Sequence, residues 1–357
     1  MKSILFIDMH REGRSPSQRF RYEQYLGLLR TKGFVIHHSF LLSEKDDTKF
    51  YSSGNYLSKG WILVKSISRR IGDLFQSQNY DFIFIQREAF MLGTVLFERL
   101  LSKSGAKLIV DFDDAIWLHQ ISSSSPNQNL NFLKRPSKTS EIIKLADTVV
   151  AGNSYLANYA LQFNTKVQVI PTTIDTDLYT PRRNFPKSKI NIGWSGSRTT
   201  VDHFKEAIPA LERLKQKYGD KIEFTVIGDG SYHHENLGII GKSWSLAKEV
   251  SDLQEFDIGI MPLPNDEWSK GKCGLKGLQY MALEIPTIMS PVGVNTEIIH
   301  HTINGFLAST SDEWVEYLGM LIEKPALRQQ IGIMGRKKVV EHYSVVANSA
   351  RFLSLFE

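Results

Sequence analysis

Short apolar runs alternate with longer amphipathic stretches along most of the chain. Short runs rich in Ile, Val and Phe are typical of strands buried on both faces of a parallel sheet. The stretches between them carry apolar residues at helical spacing. The first half therefore predicts strands at 4–8, 34–38, 82–86, 107–112, 148–151 and 167–170, and helices near 18–32, 57–78, 92–103, 138–146 and 153–163.

A second series of the same kind follows a break. Residues 172–188 combine prolines and charges without apolar periodicity, which indicates a linker. Strands are predicted beyond it at 190–195, 223–228, 257–263, 286–290 and 305–308, and helices at 202–217, 244–253, 274–283 and 296–301, before three final helical stretches. Two polar segments of the first half, 43–56 and 122–129, are predicted to be loops.

Alternating strands and helices predict an α/β fold, and 357 residues exceed the size of one ordinary core. We expect two Rossmann-like, doubly wound parallel-sheet domains that face each other across a cleft. Such sheets bind ligands at the carboxyl ends of their strands. The expected divisions are a first domain at 1–171, the linker at 172–188, a second domain at 189–338, and a C-terminal helix at 339–357 that packs back on the first domain.

The net charge of +5 is unevenly distributed. Residues 1–171 contain 22 Lys and Arg against 15 Asp and Glu, so the first domain is expected to bind an anionic partner. An anionic membrane face and a phosphate-bearing acceptor fit equally well, and a solvated basic surface without a partner is the alternative. Nucleic acid is not expected, because the basic residues are scattered without clustered aromatic side chains.

Cysteine content and hydropathy indicate the compartment. The single cysteine, Cys273, can form neither an internal disulfide nor a thiolate metal site, which is typical of a reducing environment. No stretch reaches the roughly 18 apolar residues that span a bilayer. We therefore expect a cytoplasmic protein, with peripheral contact at the inner membrane face as an open question.

The segment 257–297 carries the strongest chemical signal. A strand ends at Pro262, a polar loop follows, and a turn containing Gly271 and Gly274 opens a helix. Free N–H groups at a helix start attract anions, and glycine lets a phosphate approach the backbone. Lys272 and Lys276 lie one helical turn apart and can flank the same anion. These features predict a diphosphate site, against the alternative of an ordinary turn with surface lysines.

Two further turns follow strands of the second domain. The first contains Gly196, Ser197 and Arg198, and an arginine there can make paired bonds to a phosphate. The second contains Asp229, which is expected to line the base or ribose region or to belong to a simple β-turn.

In the first domain, Asp113 and Asp114 follow a buried-type strand and are expected to project into the cleft. Adjacent carboxylates can bind acceptor hydroxyls, hold a metal or cap the next segment, and no other ligand at suitable spacing supports a metal. The loop after the first strand carries candidate anion-binding arginines, some of which could be solvent-exposed charges; they are Arg11, Arg14, Arg19 and Arg21.

These segments resemble family 4 of the retaining glycosyltransferases, which have the GT-B fold. The resemblance covers nearly the whole chain: VDFDDAIW, AGNSYLANYA, VIPTTIDTDLY, IGWSGS and, most specifically, IMPLPNDEWSKGKCGLKGLQYMALEIPTIMSPVG. Many members carry two glutamates eight positions apart, which contact the donor sugar and the ribose. Gly271 and Gln279 stand at those positions here. Gln279 can still bind ribose, and Asp266 or Glu267 could supply the missing sugar contact.

The resemblance implies transfer of a sugar from a nucleoside diphosphate donor to a glycan or lipid-linked acceptor, with retention and without an essential metal. Arg198 and Lys276 would stabilise the leaving diphosphate together with the helix start at Gly274 and Leu275, with Asp113 and Asp114 at the acceptor. Donor contacts are expected from Gly196, Ser197, Asp229, Lys272, Gln279, Glu297 and Glu267, and acceptor contacts from Arg11, Arg19, Arg21 and Trp117. Family habit and the basic first domain suggest cell-surface polysaccharide biosynthesis.

Three other functions are alternatives for this sequence. A dinucleotide-dependent oxidoreductase is disfavoured, because no G-x-G-x-x-G follows the first strand. A non-catalytic sugar-nucleotide or anionic-glycan binding protein is the stronger rival, because both usual glutamates are missing. A sugar-nucleotide epimerase with the GT-B fold would need cleft histidines and acids in the first domain, which the sequence does not place.

Overall fold

The computed structural model describes residues 1–119, 128–182 and 188–357. It divides them into two compact units, here called unit 1 and unit 2. Unit 1 comprises Met1–Thr172 together with Ser349–Glu357, and unit 2 comprises Thr173–Asn348. Most of the loop predicted at 122–129 lies outside the described residues.

The described part of unit 1 contains a six-stranded parallel sheet. Its strands are β1 (Ser3–His10), β2 (Val35–Leu42), β3 (Phe82–Gln86), β4 (Lys107–Phe112), β5 (Thr148–Ala151) and β6 (Val167–Val169). They lie in the order β2-β1-β3-β4-β5-β6, so the chain reverses its direction of winding between β1 and β3. A crevice forms at the carboxyl ends of strands at such a point, which makes it the expected ligand position.

Helices connect these strands. They are α1 (Pro16–Arg19), α2 (Leu26–Thr31), α3 (Glu44–Phe50), α4 (Tyr56–Gln76), α5 (Leu96–Leu101), α6 (Lys138–Leu145) and α7 (Ser154–Ala160). The prediction of a loop over 43–56 was wrong, because α3 lies within it. Ser43 caps α3 by accepting a hydrogen bond from the Asp46 N–H, and this cap and an acidic first turn replace the missing apolar periodicity.

The described part of unit 2 contains a five-stranded parallel sheet and a two-stranded hairpin. The strands are β7 (Ile190–Ser195), β8 (Ile222–Ile227), β9 (His233–His234), β10 (Ile239–Ile240), β11 (Ile258–Met261), β12 (Thr287–Met289) and β13 (Phe306–Leu307). The sheet order is β13-β12-β11-β7-β8, with the hairpin formed by β9 and β10. The chain reverses its direction of winding between β11 and β7. The hairpin of β9 and β10 was not predicted from the sequence.

The helices of unit 2 are α8 (Val201–Phe204), α9 (Ile208–Tyr218), α10 (Glu249–Leu253), α11 (Glu267–Lys270), α12 (Leu275–Ala282), α13 (Asn295–Ile298), α14 (Ser311–Glu323) and α15 (Pro325–Lys338). The helix predicted over 202–217 is divided in two. Pro209 lies in the first turn of α9. Its missing N–H is tolerated there, but in the interior of one continuous helix over 202–217 the proline would break the hydrogen bonding.

The last helix, α16 (Val345–Leu353), begins in unit 2 and ends in unit 1. Phe352 stacks on Tyr25 with ring centroids 4.1 Å apart, and Phe356 lies against Phe6 and Phe82. Of the segment 339–357 predicted to pack on the first domain, Ser349–Glu357 belongs to unit 1 and the rest to unit 2. In the described part of the chain, every helix is too short or too polar to cross a membrane.

Candidate functional site

Two glycine-containing turns meet at the edge of the unit 2 sheet. The Gly196 N–H after β7 donates to the Ile227 carbonyl at the end of β8, at 2.9 Å. Gly228 has φ +126°, and a Cβ there would lie 2.1 Å from the Gly196 oxygen. A Cβ on Gly196 would lie 2.2 Å from the Trp194 ring. Both positions require glycine, and the turns are consequently fixed against each other.

These turns carry two opposite charges. Arg198 is exposed in the turn after β7, and Asp229 follows Gly228. The Asp229 carboxylate accepts bonds from the N–H and hydroxyl of Ser231 at 2.9 and 2.6 Å. The Ser231 hydrogen bonds lower the pKa of Asp229, and the Arg198 guanidinium lowers it further. The Ser197 hydroxyl lies 3.0 Å from that of Thr199, so the first turn is internally bonded.

The next part of the site is the start of α12. Gly274 precedes this helix with φ +72°, and a Cβ there would lie 2.3 Å from Ile298 Cδ1. The first helical residue is Leu275. Lys276 Nζ lies 5.5 Å from the centroid of the Trp194 ring and Lys272 Nζ lies 4.9 Å from that of Trp268. The start of this helix thus combines the backbone N–H groups of its first turn with two nearby ammonium groups, which suits an anion.

His203 joins this group, although the sequence did not single it out. It lies in α8, and burial together with the positive charges of Lys276 and Lys272 lowers its pKa to about 4. Its Nδ1 is buried without a hydrogen-bond partner in the described structure. The electrostatic coupling shows that the two lysines of the α12 turn lie close to α8. Only this tertiary proximity distinguishes His203 from any other histidine in a helix.

Gln279 lies deeper than its predicted ribose-binding role suggests. The residue is buried, and its Nε2 donates to the Tyr179 hydroxyl at 2.9 Å. Tyr179 in turn donates to Glu249 at 2.6 Å, and the other oxygen of Glu249 accepts from the Trp244 indole at 2.9 Å. This network connects α12 to the residues before β7 and to α10. The Gln279 Oε1 atom is the one that could accept a bond from a ribose hydroxyl.

The acidic candidates near α12 are engaged in local contacts. Asp266 caps α11 by accepting from the Ser269 N–H at 2.7 Å, and Glu267 pairs with Lys270 at 2.5 Å. Glu297 is exposed on α13. Gly271, where the resemblance expects a carboxylate, is buried. Glu267 is exposed and its ion pair with Lys270 is a surface pair. Among these carboxylates, Glu267 therefore exchanges its partner for a ligand at the lowest free-energy cost.

In unit 1, polar side chains meet at the carboxyl ends of β3 and β4. Arg87 follows β3 with φ +66°, and its Nη2 donates to the Ser17 hydroxyl at 2.7 Å and to Asp113 at 2.8 Å. It also pairs with Asp114. Burial lowers the pKa of the Arg87 guanidinium, but Asp113 and Asp114 raise it more, so that it stays charged. Arg87 was missed because one arginine after a strand has no distinctive sequence pattern.

Arg21 was expected to bind the acceptor, and the structure corrects this. The side chain is buried and its Nη2 lies 2.5 Å from Asp111 of β4, while Nη1 donates to the Ile170 carbonyl at 2.5 Å. A guanidinium buried in this way stays in the core, because its carboxylate and carbonyl partners there compensate for its removal from water. The sequence pattern could not separate Arg21 from its exposed neighbours.

The other acceptor candidates of unit 1 differ in their surroundings. Arg19 is buried, with its guanidinium 4.8 Å from the Phe20 ring. Arg11 pairs with Asp47 at 3.4 Å at the surface. Trp117 stacks on Tyr159 with centroids 3.7 Å apart and planes inclined by 4°. This half-buried aromatic pair has the shape and polarity that suit the apolar face of a sugar ring.

Comparisons with known proteins give one family-model match and several similar folds. Residues 189–324 match the family model described as glycosyl transferases group 1. The fold is similar to sucrose-phosphate synthase from Thermosynechococcus elongatus, with TM-score 0.68, 11% identity and coverage of 100% of this chain and 98% of that chain. It is also similar to Anabaena Alr3699/HepE in complex with UDP and glucose, with TM-score 0.65, 13% identity and 99% coverage of both chains.

A glycosyltransferase from Rickettsia africae has TM-score 0.65 and 16% identity, covering 99% of this chain and 97% of that chain. No curated protein sequence matches the chain. These findings confirm the two parallel-sheet α/β domains of the GT-B fold and the resemblance to group 1 glycosyltransferases. The matched residues lie in unit 2 and include the glycine turns, His203 and the start of α12.

Proposed function

We propose that the protein is a retaining glycosyltransferase that moves a sugar from a nucleoside diphosphate donor to a glycan or lipid-linked acceptor. The observation that carries this proposal is the position of Lys272 and Lys276 around Gly274 at the start of α12, within the residues that match the group 1 family model. The charges of both lysines also act on the half-buried His203. Two ammonium groups beside the backbone N–H groups at the start of a helix favour a diphosphate.

Donor binding is assigned to unit 2. Lys276, Arg198 and the N–H groups of α12 contact the diphosphate and stabilise the charge that develops on it as the sugar leaves. These groups supply the positive charge, so the proposed reaction needs no metal. Asp229 and the Gln279 Oε1 atom are the proposed ribose and base contacts. The structurally similar Anabaena protein, which binds UDP and glucose, makes UDP the first nucleotide to test.

Acceptor binding is assigned to unit 1. Asp113 and Asp114, which Arg87 holds at the ends of β3 and β4, offer carboxylate oxygens to acceptor hydroxyls. The Trp117–Tyr159 pair offers a stacking surface, and Arg11 and Arg19 are kept as anion contacts. In the proposed retaining mechanism the leaving phosphate takes the acceptor proton, so neither aspartate is required as a base.

The proposed setting is the synthesis of cell-surface polysaccharide by a cytoplasmic enzyme. The excess of basic residues in 1–171 supports a peripheral position at the anionic inner face of a membrane. The acceptor is then a glycan carried on a lipid, which is presented at the same surface.

One observation favours a second function, a sugar-nucleotide binding protein without transferase activity. Gly271 stands where the donor sugar would meet a carboxylate, and the nearest acids, Asp266 and Glu267, have local partners. Donor binding without turnover is the outcome that would establish this alternative.

The test is thermal-shift screening against UDP, GDP, ADP and their sugar conjugates. We expect one nucleotide to raise the melting temperature and Lys276→Ala to weaken its binding about 10- to 100-fold, because a charged hydrogen bond contributes about 1.5–3 kcal/mol. Lys221→Ala, at an exposed lysine of unit 2, is the matched control. Absence of a shift with every nucleotide would contradict the proposal. Binding without release of free nucleotide in the presence of acceptors would favour the second function.

A further inference from the structure

Helix α4 of unit 1 presents an apolar face to solvent. Leu57, Trp61 and Phe75 are 94%, 62% and 84% exposed, and Val64 and Ile71 between them are exposed as well. Their spacing places all five on one side of the helix. A face of this kind extends about 27 Å along a helix of this length, at 1.5 Å per residue. Contiguous apolar surface of that extent on a soluble protein marks a binding face.

The opposite face of α4 is largely polar although it faces the interior, since its buried residues are Lys59, Ser66, Arg70 and one apolar residue, Ile62. Arg70 is buried and donates to the carbonyls of Asp8 and Ala89, at 2.6 Å each. Lys59 is also buried, with Nζ 2.7 Å from the Ser52 carbonyl. The helix therefore holds to unit 1 largely by hydrogen bonds and leaves most of its large apolar side chains outside. This is the reverse of the usual surface helix, whose apolar side covers the core.

Charge on α4 favours an anionic lipid surface as the partner. In this helix, all of whose residues are described, the exposed charged side chains are Lys65 and Arg69. Its carboxylate, Asp73, points inward to Ser39 and Arg70 at 2.7 Å each. A long helix with an apolar face, interfacial aromatic side chains and basic flanks is the form that lies flat in the headgroup region of a bilayer.

Space for a headgroup lies beside the same face. A groove of about 700 Å³ between α4 and the edge strand β2 is lined by Trp61, Lys65 and Arg69. Lys65 pairs there with Asp46 at 2.9 Å, and the Arg69 guanidinium lies 5.6 Å from the Phe40 ring. Both cations are exposed, so their side chains are accessible to a lipid phosphate.

We propose that α4 is the surface by which this protein docks on an anionic lipid bilayer, with Leu57, Trp61 and Phe75 inserted among the lipids and Lys65 and Arg69 at the phosphates. The proposal rests on the peripheral membrane position proposed above, and it identifies the surface responsible. It does not depend on the transfer reaction, because no residue of α4 belongs to the donor site.

The test is cosedimentation of the full-length protein with vesicles of phosphatidylcholine alone or with about one third phosphatidylglycerol. We expect binding to the anionic vesicles that weakens as salt is raised, because screening acts on the basic flanks. The double variant Leu57→Ser/Phe75→Ser should lower the partition coefficient by about tenfold or more, since two large apolar side chains no longer enter the bilayer. Arg69→Gln should lower binding to anionic vesicles and leave binding to neutral vesicles unchanged.

Ile240→Ser is the matched control, because Ile240 is 75% exposed in the unit 2 hairpin; it should bind as wild type does. All variants should keep their circular dichroism spectrum and their stabilisation by nucleotide, so that failure of donor binding and failure of docking are separate results. The proposal would be overturned if the wild-type protein does not sediment with anionic vesicles, or if the double variant binds them as the wild type does. So would a dimer in analytical ultracentrifugation that the double variant abolishes while vesicle binding persists.

Discussion

At the residue scale, the donor candidates of unit 2 are distinguished by positive charges that act on a half-buried histidine. Burial and the positive charges of Lys276 and Lys272 lower the pKa of His203, so its imidazole is neutral at pH 7. A diphosphate beside these lysines would reverse the local potential and favour the protonated imidazole. His203 can therefore respond to donor binding without contacting the donor.

The lowered pKa of His203 predicts a pH dependence of stability. The unfolded chain binds a proton below about 6.5 and the folded chain only below about 4, so protons favour the unfolded state within this window. The melting temperature should fall as pH is lowered from 6.5 towards 4. His203→Gln should reduce that slope, and His300→Gln, an exposed histidine of the same unit, should not. An unchanged slope in His203→Gln would contradict the assignment.

Arg21 and Arg99 test whether a buried arginine acts as a structural ion pair. Arg21→Ala leaves the Asp111 carboxylate buried without its partner and should lower the free energy of unfolding by about 3–5 kcal/mol. Arg99 pairs with Glu141 at 2.8 Å while 59% exposed, so Arg99→Ala should cost less than about 1 kcal/mol. Urea denaturation measures both. Similar small losses in the two variants would return Arg21 to the set of candidate acceptor contacts.

The sequence predicted residues with distinctive local patterns and missed those defined by tertiary contacts. Lys276 and Gly274 stand in a strand–turn–helix pattern, and both lie at the start of α12. Arg21 belongs to an arginine-rich loop whose members look alike until the fold buries Arg19 and Arg21 and pairs Arg21 with Asp111. Arg87 and His203 have no local pattern, because each is defined by partners that are distant in sequence.

At the element scale, the turns after β7 and β8 are fixed by close backbone approach. Gly228→Ala would place a Cβ 2.1 Å from the Gly196 oxygen at φ +126°. The turn that carries Arg198 must then move away. Gly238 also has a positive φ, +64°, but a Cβ there meets open space. Both glycines therefore have a positive φ that disfavours other residues, but only at Gly228 would a Cβ collide with a neighbouring atom.

This difference predicts separate outcomes for two alanine variants. Gly228→Ala should weaken nucleotide binding at least about tenfold and destabilise the protein by more than the roughly 1–2 kcal/mol of a left-handed residue. Gly238→Ala should show only that backbone cost and keep nucleotide affinity. Isothermal titration with the nucleotide identified by thermal shift, combined with urea denaturation, measures both effects. Equal affinities in the two variants would mean that the turns are not coupled to the donor site.

Among the elements, buried strands were the most predictable. The runs at 82–86, 107–112, 148–151 and 190–195 have the same limits in the structure, because apolar runs bounded by polar residues define them locally. Short helices were less predictable. Helix α3 depends on a serine cap and acidic first turn, and α11 is a single turn capped by Asp266. Neither has enough length to show an apolar period.

At the scale of the whole molecule, the chain folds as two units, of which unit 1 is discontinuous in sequence and unit 2 is continuous. The division lies between Thr172 and Thr173, and the last nine residues return to unit 1. An amphipathic final helix predicts packing against some core, but only the fold shows that Phe352 and Phe356 complete the aromatic cluster around Phe6, Tyr25 and Phe82. The stability of unit 1 therefore depends on the far end of the chain.

This dependence can be tested within one helix. Phe352 is buried against Tyr25, while Val346 on the same helix is 74% exposed. Phe352→Ala should cost about 3–5 kcal/mol, and Val346→Ala should have little effect. Limited proteolysis with mass mapping should find the new cleavage sites of Phe352→Ala within residues 1–172, with nucleotide affinity unchanged, because the donor residues lie in unit 2. New cleavage within 173–348, or loss of nucleotide binding, would show that the two units do not respond separately.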